Sequence, residues 1–232
     1  MEKIKFTKMV GAGNDFTVIY NGLQVTGYRL QGLSALAKRL CNRKAGIGAD
    51  GMLVLEKSKI ADFRMRIFNA DGSVAEMCGN GLRCAVLYTG MHGRTSAQAH
   101  KRTSKRVMVE TAAGIYEGEM SAKDMVRIKM KEPMDLRLNF PINVNGRGIK
   151  ANFINTGVPH TVVFVEGLDK IDVDSIGSEI RHHDEFKPKG SNVNFVETID
   201  DSNIKIRTYE RGVEGETLAC GTGAVASAII TA

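Results

Sequence analysis

The chain has 232 residues, of which 43% are hydrophobic and 25% charged, and its formal net charge is +6. These proportions exclude a disordered or fibrous protein, and a length above the commonest domain size of roughly 100–150 residues favours two modest domains. The N-terminal segment lacks an apolar leader pattern and no hydrophobic run reaches membrane length, so we expect a cytoplasmic protein without a membrane partner.

Alternating or β-branched runs predict a strand-rich first half with two helices. Apolar residues at helical spacing predict a helix over Leu30–Arg43, and a second helix is expected to start near Cys78. The predicted strands are Ile4–Lys8, Phe16–Tyr20, Met52–Glu56, Phe63–Asn69, Val107–Thr111, Ile115–Glu119 and Met125–Met130.

The second half repeats this pattern after a segment, Arg137 to Lys150, that is interpreted as a loop. A short helix is predicted at Asp174–His182, and a last helix of small and aliphatic residues at Gly221–Ile230. The predicted strands of the second half are Phe153–Asn155, Thr161–Val165, Val193–Glu197 and Ile204–Tyr209.

The two halves read as copies of one unit. Gly48 precedes Cys78 by the same 30 residues that separate Gly190 from Cys220, and each interval runs strand, turn, strand, polar turn, Cys-Gly-X-Gly. Two copies are too few for a solenoid, so we predict two pseudo-symmetric domains, residues 1–118 and 119–232.

Each copy places a cysteine, Cys78 or Cys220, at the predicted start of a helix. Unpaired backbone N–H groups and the helix dipole favour negative charge there, which lowers the pKa of a thiol and offers N–H groups to a bound carboxylate. One such segment alone is better interpreted as a buried helix start. Two copies in a repeat favour chemistry.

Inverting an α-carbon explains why two cysteines would be needed. A proton must leave one face while another arrives at the opposite face, with the carbanion stabilised between them. One thiolate and one thiol perform both transfers, and two helix N-termini stabilise the enolate without a pyridoxal cofactor. We therefore predict that the protein needs no cofactor and that its substrate is a small molecule, an amino acid; no metal site is predicted either.

The chain resembles the diaminopimelate epimerase family along essentially its whole length. The resemblance depends on both cysteine motifs and on short segments that are specific only together. These segments are Gly11-Ala12-Gly13-Asn14-Asp15-Phe16, Gly46-Ile47-Gly48-Ala49-Asp50-Gly51, Phe68-Asn69-Ala70-Asp71-Gly72-Ser73, Asn155-Thr156-Gly157-Val158-Pro159-His160 and Tyr209-Glu210-Arg211-Gly212.

The resemblance implies two similar α/β domains, each a curved, mostly antiparallel sheet around a central helix, with the active site in the cleft between them. It implies that Cys78 and Cys220 are the acid/base pair, assisted by His160 and Glu210, and that LL-diaminopimelate is converted to meso-diaminopimelate for lysine and peptidoglycan synthesis. The reacting centre would be held by Asn14, Gly79, Asn80, Gly221 and Thr222, and the distal group by Asn69, Asn192, Glu210 and Arg211.

Three departures from the family pattern bear on these expectations. Many members carry asparagine where this chain has Val158, and some carry glutamine at Gly51. Members also continue for several strands beyond the helix after the second cysteine, so the C-terminal domain is expected to be incomplete. Oligomeric state is left open, with a homodimer as one option.

Rival interpretations remain beside this one. Another racemase of the same fold would differ in its substrate panel, and an inactive binding protein would not exchange α-protons. His160 could be a structural histidine, Glu210-Arg211 a surface ion pair, and Asn69 a turn residue. Cys41 and Cys84 are interpreted as core thiols.

Dinucleotide, zinc and nucleic-acid sites are not favoured. The GxGxxG spelling from Gly46 to Gly51 follows a helix and precedes a strand, the reverse of the required order, and the cysteines lack C-x-x-C spacing. The basic residues of one stretch have no interleaved aromatic residues, so a solvated loop is expected. They are Arg94, Lys101, Arg102, Lys105 and Arg106.

Overall fold

A computed structural model describes residues 4–20, 30–92 and 106–232, and the chain divides into two compact units, Met1–Lys129 and Met130–Ala232. Each unit contains one mixed sheet with helices against it. Within the described ranges, no helix is long and apolar enough to cross a membrane. Four of the five basic residues named above, Arg94, Lys101, Arg102 and Lys105, lie outside the described residues.

The first unit is an eight-stranded sheet in the order β1-β2-β3-β4-β6-β7-β8, with the short β5 paired to β4. The β2–β3 and β4–β6 pairs are parallel and the others antiparallel. Its elements are β1 (Thr7–Gly11), β2 (Asn14–Tyr20), α1 (Leu30–Cys41), β3 (Gly51–Glu56), β4 (Phe63–Asn69), β5 (Val74–Ala75), α2 (Gly79–His92), β6 (Arg106–Thr111), β7 (Gly114–Ala122) and β8 (Met125–Lys129).

Two apolar cores lie in this unit because its strands β2 and β3 are buried on both faces. Leu33, Ala37 and Cys41 of α1 pack on β3 and β4 within one core. Leu82 and Val86 of α2 belong to the other, and α2 contacts β1, β2, β3, β4, β7 and β8. The central helix is therefore α2, and burial of its apolar side chains stabilises the start of the helix where Cys78 lies.

The second unit is a six-stranded sheet in the order β14-β13-β12-β11-β10-β9, with only the β11–β12 pair parallel. Helix α3 packs against β12, β13 and β14, and α4 packs against β10 to β13. Its elements are β9 (Met134–Val144), β10 (Arg147–Asn155), β11 (Pro159–Phe164), α3 (Val173–Arg181), β12 (Asn192–Asp200), β13 (Asn203–Glu210), β14 (Gly215–Thr217) and α4 (Gly221–Thr231).

The internal repeat is confirmed by this topology. Both units contain an antiparallel hairpin, a helix, a strand parallel to the second hairpin strand, two further antiparallel strands and then the cysteine-led helix. In this order β1–β5 with α1 and α2 correspond to β10–β14 with α3 and α4. Gly48 and Gly190, the landmarks of the repeat, both adopt positive φ, at 77° and 65°.

The loop predicted from Arg137 to Lys150 is wrong. β9 and β10 cover most of it as an antiparallel hairpin, with Val144 opposite Arg147. Asn145 and Gly146 both have positive φ, 52° and 78°, which is the conformation that a two-residue hairpin turn requires. The Asn-Gly pair was the local signal for this hairpin.

The division between the units lies between Lys129 and Met130. The expected position after residue 118 falls inside β7, whose residues pair with β6 on one side and β8 on the other. Both β7 and β8 therefore belong to the first sheet, because splitting β7 would break a continuous ladder of backbone hydrogen bonds.

Candidate active site

Cys78 and Cys220 are half-buried and lie at the starts of α2 and α4, as predicted from the repeat. In the first unit the Gly81 N–H donates to Cys78 Sγ over 3.4 Å, so the sulfur accepts one of the N–H groups that the helix leaves unpaired. In the second unit Cys220 is the N-cap of α4, and its Sγ lies 3.4 Å from Thr222 Oγ1. Each sulfur thus has a neighbour that can donate to it.

The other two cysteines are core thiols, as expected. Cys41 and Cys84 are both 2% exposed. Burial raises the pKa of the Cys41 thiol to about 11 and that of Cys84 to about 12. Both therefore remain protonated at neutral pH, and neither is a candidate base.

Asn14 and Asn80 form a hydrogen-bonded chain beside Cys78. Asn80 Nδ2 donates to Asn14 Oδ1 over 2.9 Å, and Asn14 Nδ2 donates to Asp50 Oδ2 over 3.2 Å. At the other end Arg83 Nη1 donates to Asn80 Oδ1 over 3.1 Å. A guanidinium only donates and a carboxylate only accepts, so the two ends fix the orientation of both amides.

An ionic network holds the Asp50 end of this chain. Arg43 bonds to Asp15 at 2.8 Å and Asp50 at 2.7 Å, and Lys8 bonds to Asp15 at 2.8 Å. Burial opposes ionisation of Asp15, but hydrogen bonds from Arg43 and Lys8 outweigh it and hold the pKa of this carboxyl well below its usual range. Asp15 therefore stays ionised, and the network places Asn14 at the start of β2.

Asn69 lies at the end of β4 and takes part in the turn that follows. Its N–H donates to Ser73 O, and its Nδ2 donates to Ser73 Oγ, both over 2.9 Å. Gly72 closes the turn with a φ of 81°. These contacts account for Asn69 as a turn residue, and its binding role stays a prediction.

His160 is fully buried at the start of β11 and connects three elements. Its Nε2 lies 2.9 Å from Thr222 Oγ1 on α4, and its Nδ1 lies 3.1 Å from Asn194 Nδ2 on β12. Burial and the positive charge of Arg211 lower the pKa of His160 from 6.5 to about 3. The ring is therefore neutral at physiological pH and carries one proton.

The buried neutral ring predicts acid sensitivity in the second unit. Below pH 6.5 the unfolded chain protonates this imidazole, whereas the folded chain does so only near pH 3. Stability should therefore fall as pH falls through this window, by up to about 1.4 kcal/mol per pH unit. We expect His160→Gln to reduce this slope in urea unfolding between pH 7 and pH 4.

The exposed His182 offers the matched control for that measurement. His182→Gln makes the same exchange at an exposed position and so controls for the substitution itself. Equal slopes for the unaltered chain and His160→Gln would contradict a buried neutral imidazole.

Glu210, Arg211 and Asn192 lie together where β13 ends beside β12. Asn192 is buried, donates to Pro159 O over 3.0 Å and accepts from the Arg211 N–H over 2.9 Å. Arg211 Nη1 reaches Lys189 O at 3.4 Å. Burial raises the pKa of Glu210, so this carboxyl holds its proton more readily than an exposed one.

Residues 6–134 and 152–232 match the family model described as diaminopimelate epimerase. The diaminopimelate epimerase of Methanocella arvoryzae is 45% identical over 240 residues, covering 99% of this chain and 82% of that protein. The diaminopimelate epimerase of Chlorobaculum tepidum is 43% identical over 227 residues, covering 96% and 81%. The chain belongs to the diaminopimelate epimerase family. It is accordingly an isomerase of the epimerase type.

Solved structures with lower sequence identity share the fold. A probable proline racemase from Agrobacterium radiobacter superposes with a TM-score of 0.68 at 18% identity, over 99% of this chain and 78% of that one. A Bacillus anthracis phenazine biosynthesis protein of the PhzF family gives 0.66 at 15% identity, over 95% and 76%. The fold class predicted from the sequence, two similar α/β units, is thereby confirmed.

Three residues without an assigned role in the sequence analysis contact the expected epimerase site residues, and a fourth contacts one of those three. Asp50 and Arg83 orient the two asparagines of the first unit, and Asn194 contacts His160 in the second. Thr208 Oγ1 in turn donates to Asn194 Oδ1 over 3.0 Å. Their spacing along the chain gave no signal, because the contacts depend on which strands are neighbours.

Proposed function

We propose that this chain converts LL-diaminopimelate to meso-diaminopimelate without a pyridoxal cofactor, using Cys78 and Cys220 as the two proton-transfer groups. One observation carries the proposal: each of the two repeated units has a half-buried thiol at the start of a central helix, with a hydrogen-bond donor at its sulfur. The chain that has this arrangement belongs to the diaminopimelate epimerase family. One thiolate removes the α-proton, and the opposite thiol delivers its proton to the other face.

The helix starts support binding of the α-carboxylate and of the developing enolate. The first N–H groups of α2 and α4 point along the helix axis, and their partial positive charge favours an anion. A Cβ on Gly79 would meet Arg83 Nη1 at 3.5 Å, an ordinary contact, so packing within the unit does not demand glycine there. A glycine would instead allow a ligand to approach the backbone closely. This supports binding of the carboxylate at Gly79, Asn80, Gly221 and Thr222.

The polar residues around each thiol have distinct proposed roles. Asn14 and Asn80, whose amides are fixed at both ends, hold the amino group and carboxylate of the reacting centre. His160 and Glu210 assist the proton transfers of the cysteines. Arg211 binds the distal carboxylate, for which a planar guanidinium is well suited, with Asn192 fixing its backbone and Asn69 and Glu210 completing the distal site.

Proton NMR of LL-diaminopimelate with the protein in deuterated water tests the proposal. We expect the α-proton signal of one centre to disappear as meso-diaminopimelate forms, while the other centre keeps its proton until the product turns over. Exchange with proline or hydroxyproline instead would assign a different substrate within the same fold. Binding without any exchange would indicate a protein that has lost catalysis.

Asp50→Asn tests the proposed role of the asparagine chain. The substitution keeps the shape of the side chain but removes the charge that anchors Arg43 and accepts from Asn14. We expect KM for diaminopimelate to rise by about tenfold, the size of a lost charge-assisted hydrogen bond, with a smaller change in kcat. Steady-state kinetics measure this.

Asp124→Asn, an exposed aspartate in the β7–β8 turn of the same unit, is the matched control and should leave KM unchanged. If Asp50→Asn and Asp124→Asn have the same KM, the hydrogen bonds of Asn14 and Asn80 contribute to stability and not to substrate binding.

The cellular compartment and the binding partners are further proposals. The two-thiol mechanism needs both cysteines reduced, a condition that the cytoplasm provides. The substrate is a small molecule, and we propose no nucleic-acid partner. A homodimer stays a prediction that sedimentation or light scattering would test.

A further inference from the structure

We propose that Asn194 is a positioning residue that keeps the proton of His160 on Nε2, so that His160 and Thr222 form a one-way chain of donors ending on Cys220 Sγ. The inference deepens the proposed function and rests on it for the catalytic use of Cys220. The chain of contacts itself is independent of that use.

The orientation of the Asn194 amide is fixed by its neighbours. The atom that contacts His160 also lies 3.2 Å from the backbone oxygen of Thr161, which can only accept. That atom must therefore be the amide nitrogen. The opposite atom, Oδ1, accepts from the Thr208 hydroxyl over 3.0 Å. Asn194 is fully buried, so solvent offers neither atom another partner.

The amide orientation decides the tautomer of His160. Because Asn194 Nδ2 donates to Nδ1, this ring nitrogen must carry a lone pair. The ring is neutral, so its single proton lies on Nε2. Nε2 then donates to Thr222 Oγ1, the partner at 2.9 Å.

The direction of the last step follows from the first two. Thr222 Oγ1 accepts from His160, which leaves its own hydrogen for the Cys220 sulfur at 3.4 Å. A donor aimed at sulfur stabilises the thiolate more than the thiol. Cys220 is thus favoured as the thiolate that takes the α-proton, and the carbanion then receives its new proton from the Cys78 thiol.

In the first unit a different group donates a hydrogen bond to the cysteine sulfur. In the repeat Met52 takes the position of Asn194 and Asn80 that of Thr222, while Asp15 takes that of His160 and accepts from the backbone N–H of Asp50, just before β3. Cys78 receives the Gly81 N–H instead. The donor chain is therefore a feature of the second unit, and its loss should affect Cys220 and leave Cys78 unchanged.

Asn194→Asp is expected to reverse the direction of the hydrogen bonds from His160 to Cys220, with little change in the shape of the side chain. A carboxylate accepts from Nδ1–H, so the proton of His160 moves to Nδ1, and Nε2 then accepts from Thr222. Long-range proton–nitrogen NMR of the histidine side chains, with the His160 signal assigned by its loss in His160→Gln, reports the tautomer. Alkylation by iodoacetamide, followed by peptide mapping, reports the reactivity of each cysteine.

We expect the unaltered protein to show a protonated Nε2 and Asn194→Asp to show a protonated Nδ1. Alkylation of Cys220 should slow by about tenfold or more in Asn194→Asp, the effect of losing one hydrogen bond to a charged group, with Cys78 unaffected. In a Thr222→Val background Asn194→Asp should have no further effect on Cys220, because the relay is already broken.

Asn152→Asp is the matched control. Asn152 is a buried asparagine of the same sheet that donates to Val162 O and accepts from the Asn139 N–H, away from His160. It tests the cost of a buried carboxylate alone. Equal slowing of Cys220 alkylation in both variants, or a protonated Nδ1 in the unaltered protein, would overturn the proposal. The tautomer measurement on the unaltered protein needs no variant to fold.

These readouts separate this inference from the proposed function. The tautomer and the alkylation rates are measured without substrate, whereas α-proton exchange tests the epimerase reaction. An intact donor chain in a protein that exchanges no α-protons would leave the inference standing and remove the function.

Discussion

Cys78→Ser and Cys220→Ser are each expected to abolish nearly all epimerisation while substrate still binds. A serine hydroxyl is a far weaker base than a thiolate near neutral pH, and each direction of the proposed two-thiol reaction uses one thiolate and one thiol. The loss in kcat should be about 10²- to 10⁴-fold or more, the contribution of a positioned proton-transfer group. A coupled assay of meso-diaminopimelate formation measures the rates, and calorimetry measures binding.

Cys41→Ala is the matched control for these variants. Cys41 is a buried thiol whose pKa is raised to about 11, so its loss should lower the free energy of unfolding and leave kcat unchanged. Full activity in either serine variant would remove the two-thiol mechanism. Loss of kcat in Cys41→Ala at full stability would show that the assay does not distinguish packing from chemistry.

The repeat and the cysteine positions could be predicted from the sequence because each depends on local pattern. Strand β4 is recovered at Phe63–Asn69 because apolar and charged residues alternate along it. Strand β1 was placed too early, at Ile4–Lys8, because its end is set by the Ala12–Gly13 turn, where both φ values are positive. Turn geometry shifts strand register in ways that hydropathy does not record.

The orienting residues of the site could not be predicted from the sequence. Asn194 reaches His160 because β11 and β12 are parallel neighbours with Val162 opposite Asn194. Asp50 reaches Asn14 for the equivalent reason in the first sheet, where β2 and β3 are parallel. A buried asparagine or a loop aspartate has many structural explanations, and only the strand order shows which partner it has.

Gly223→Ala is expected to damage both stability and turnover. A Cβ at this position would overlap Asn194 Oδ1 and lie 3.3 Å from Cys220 Cβ. Either Asn194 or the start of α4 must move, and each movement breaks the contacts among Asn194, His160 and Thr222. Overpacking costs about 1–3 kcal/mol, which outweighs the roughly 0.5–1 kcal/mol that alanine gains over glycine inside a helix. Misplacing Cys220 by about an ångström should lower kcat on the order of 100-fold.

Gly81→Ala is the matched control, because Gly81 follows Cys78 as Gly223 follows Cys220. Its added Cβ would meet Leu53 Cδ2 at 3.1 Å, the flexible end of a side chain that can shift by a few tenths of an ångström. We expect Gly81→Ala to keep its unfolding free energy within about 1 kcal/mol of the unaltered chain, since the helix gain offsets the crowding. Denaturant unfolding and epimerase kinetics on both variants decide the matter. Equal losses of stability and kcat in Gly81→Ala and Gly223→Ala would mean that both helix starts require glycine for the same reason. The contact between Gly223 and Asn194 would then have no separate role in placing Cys220.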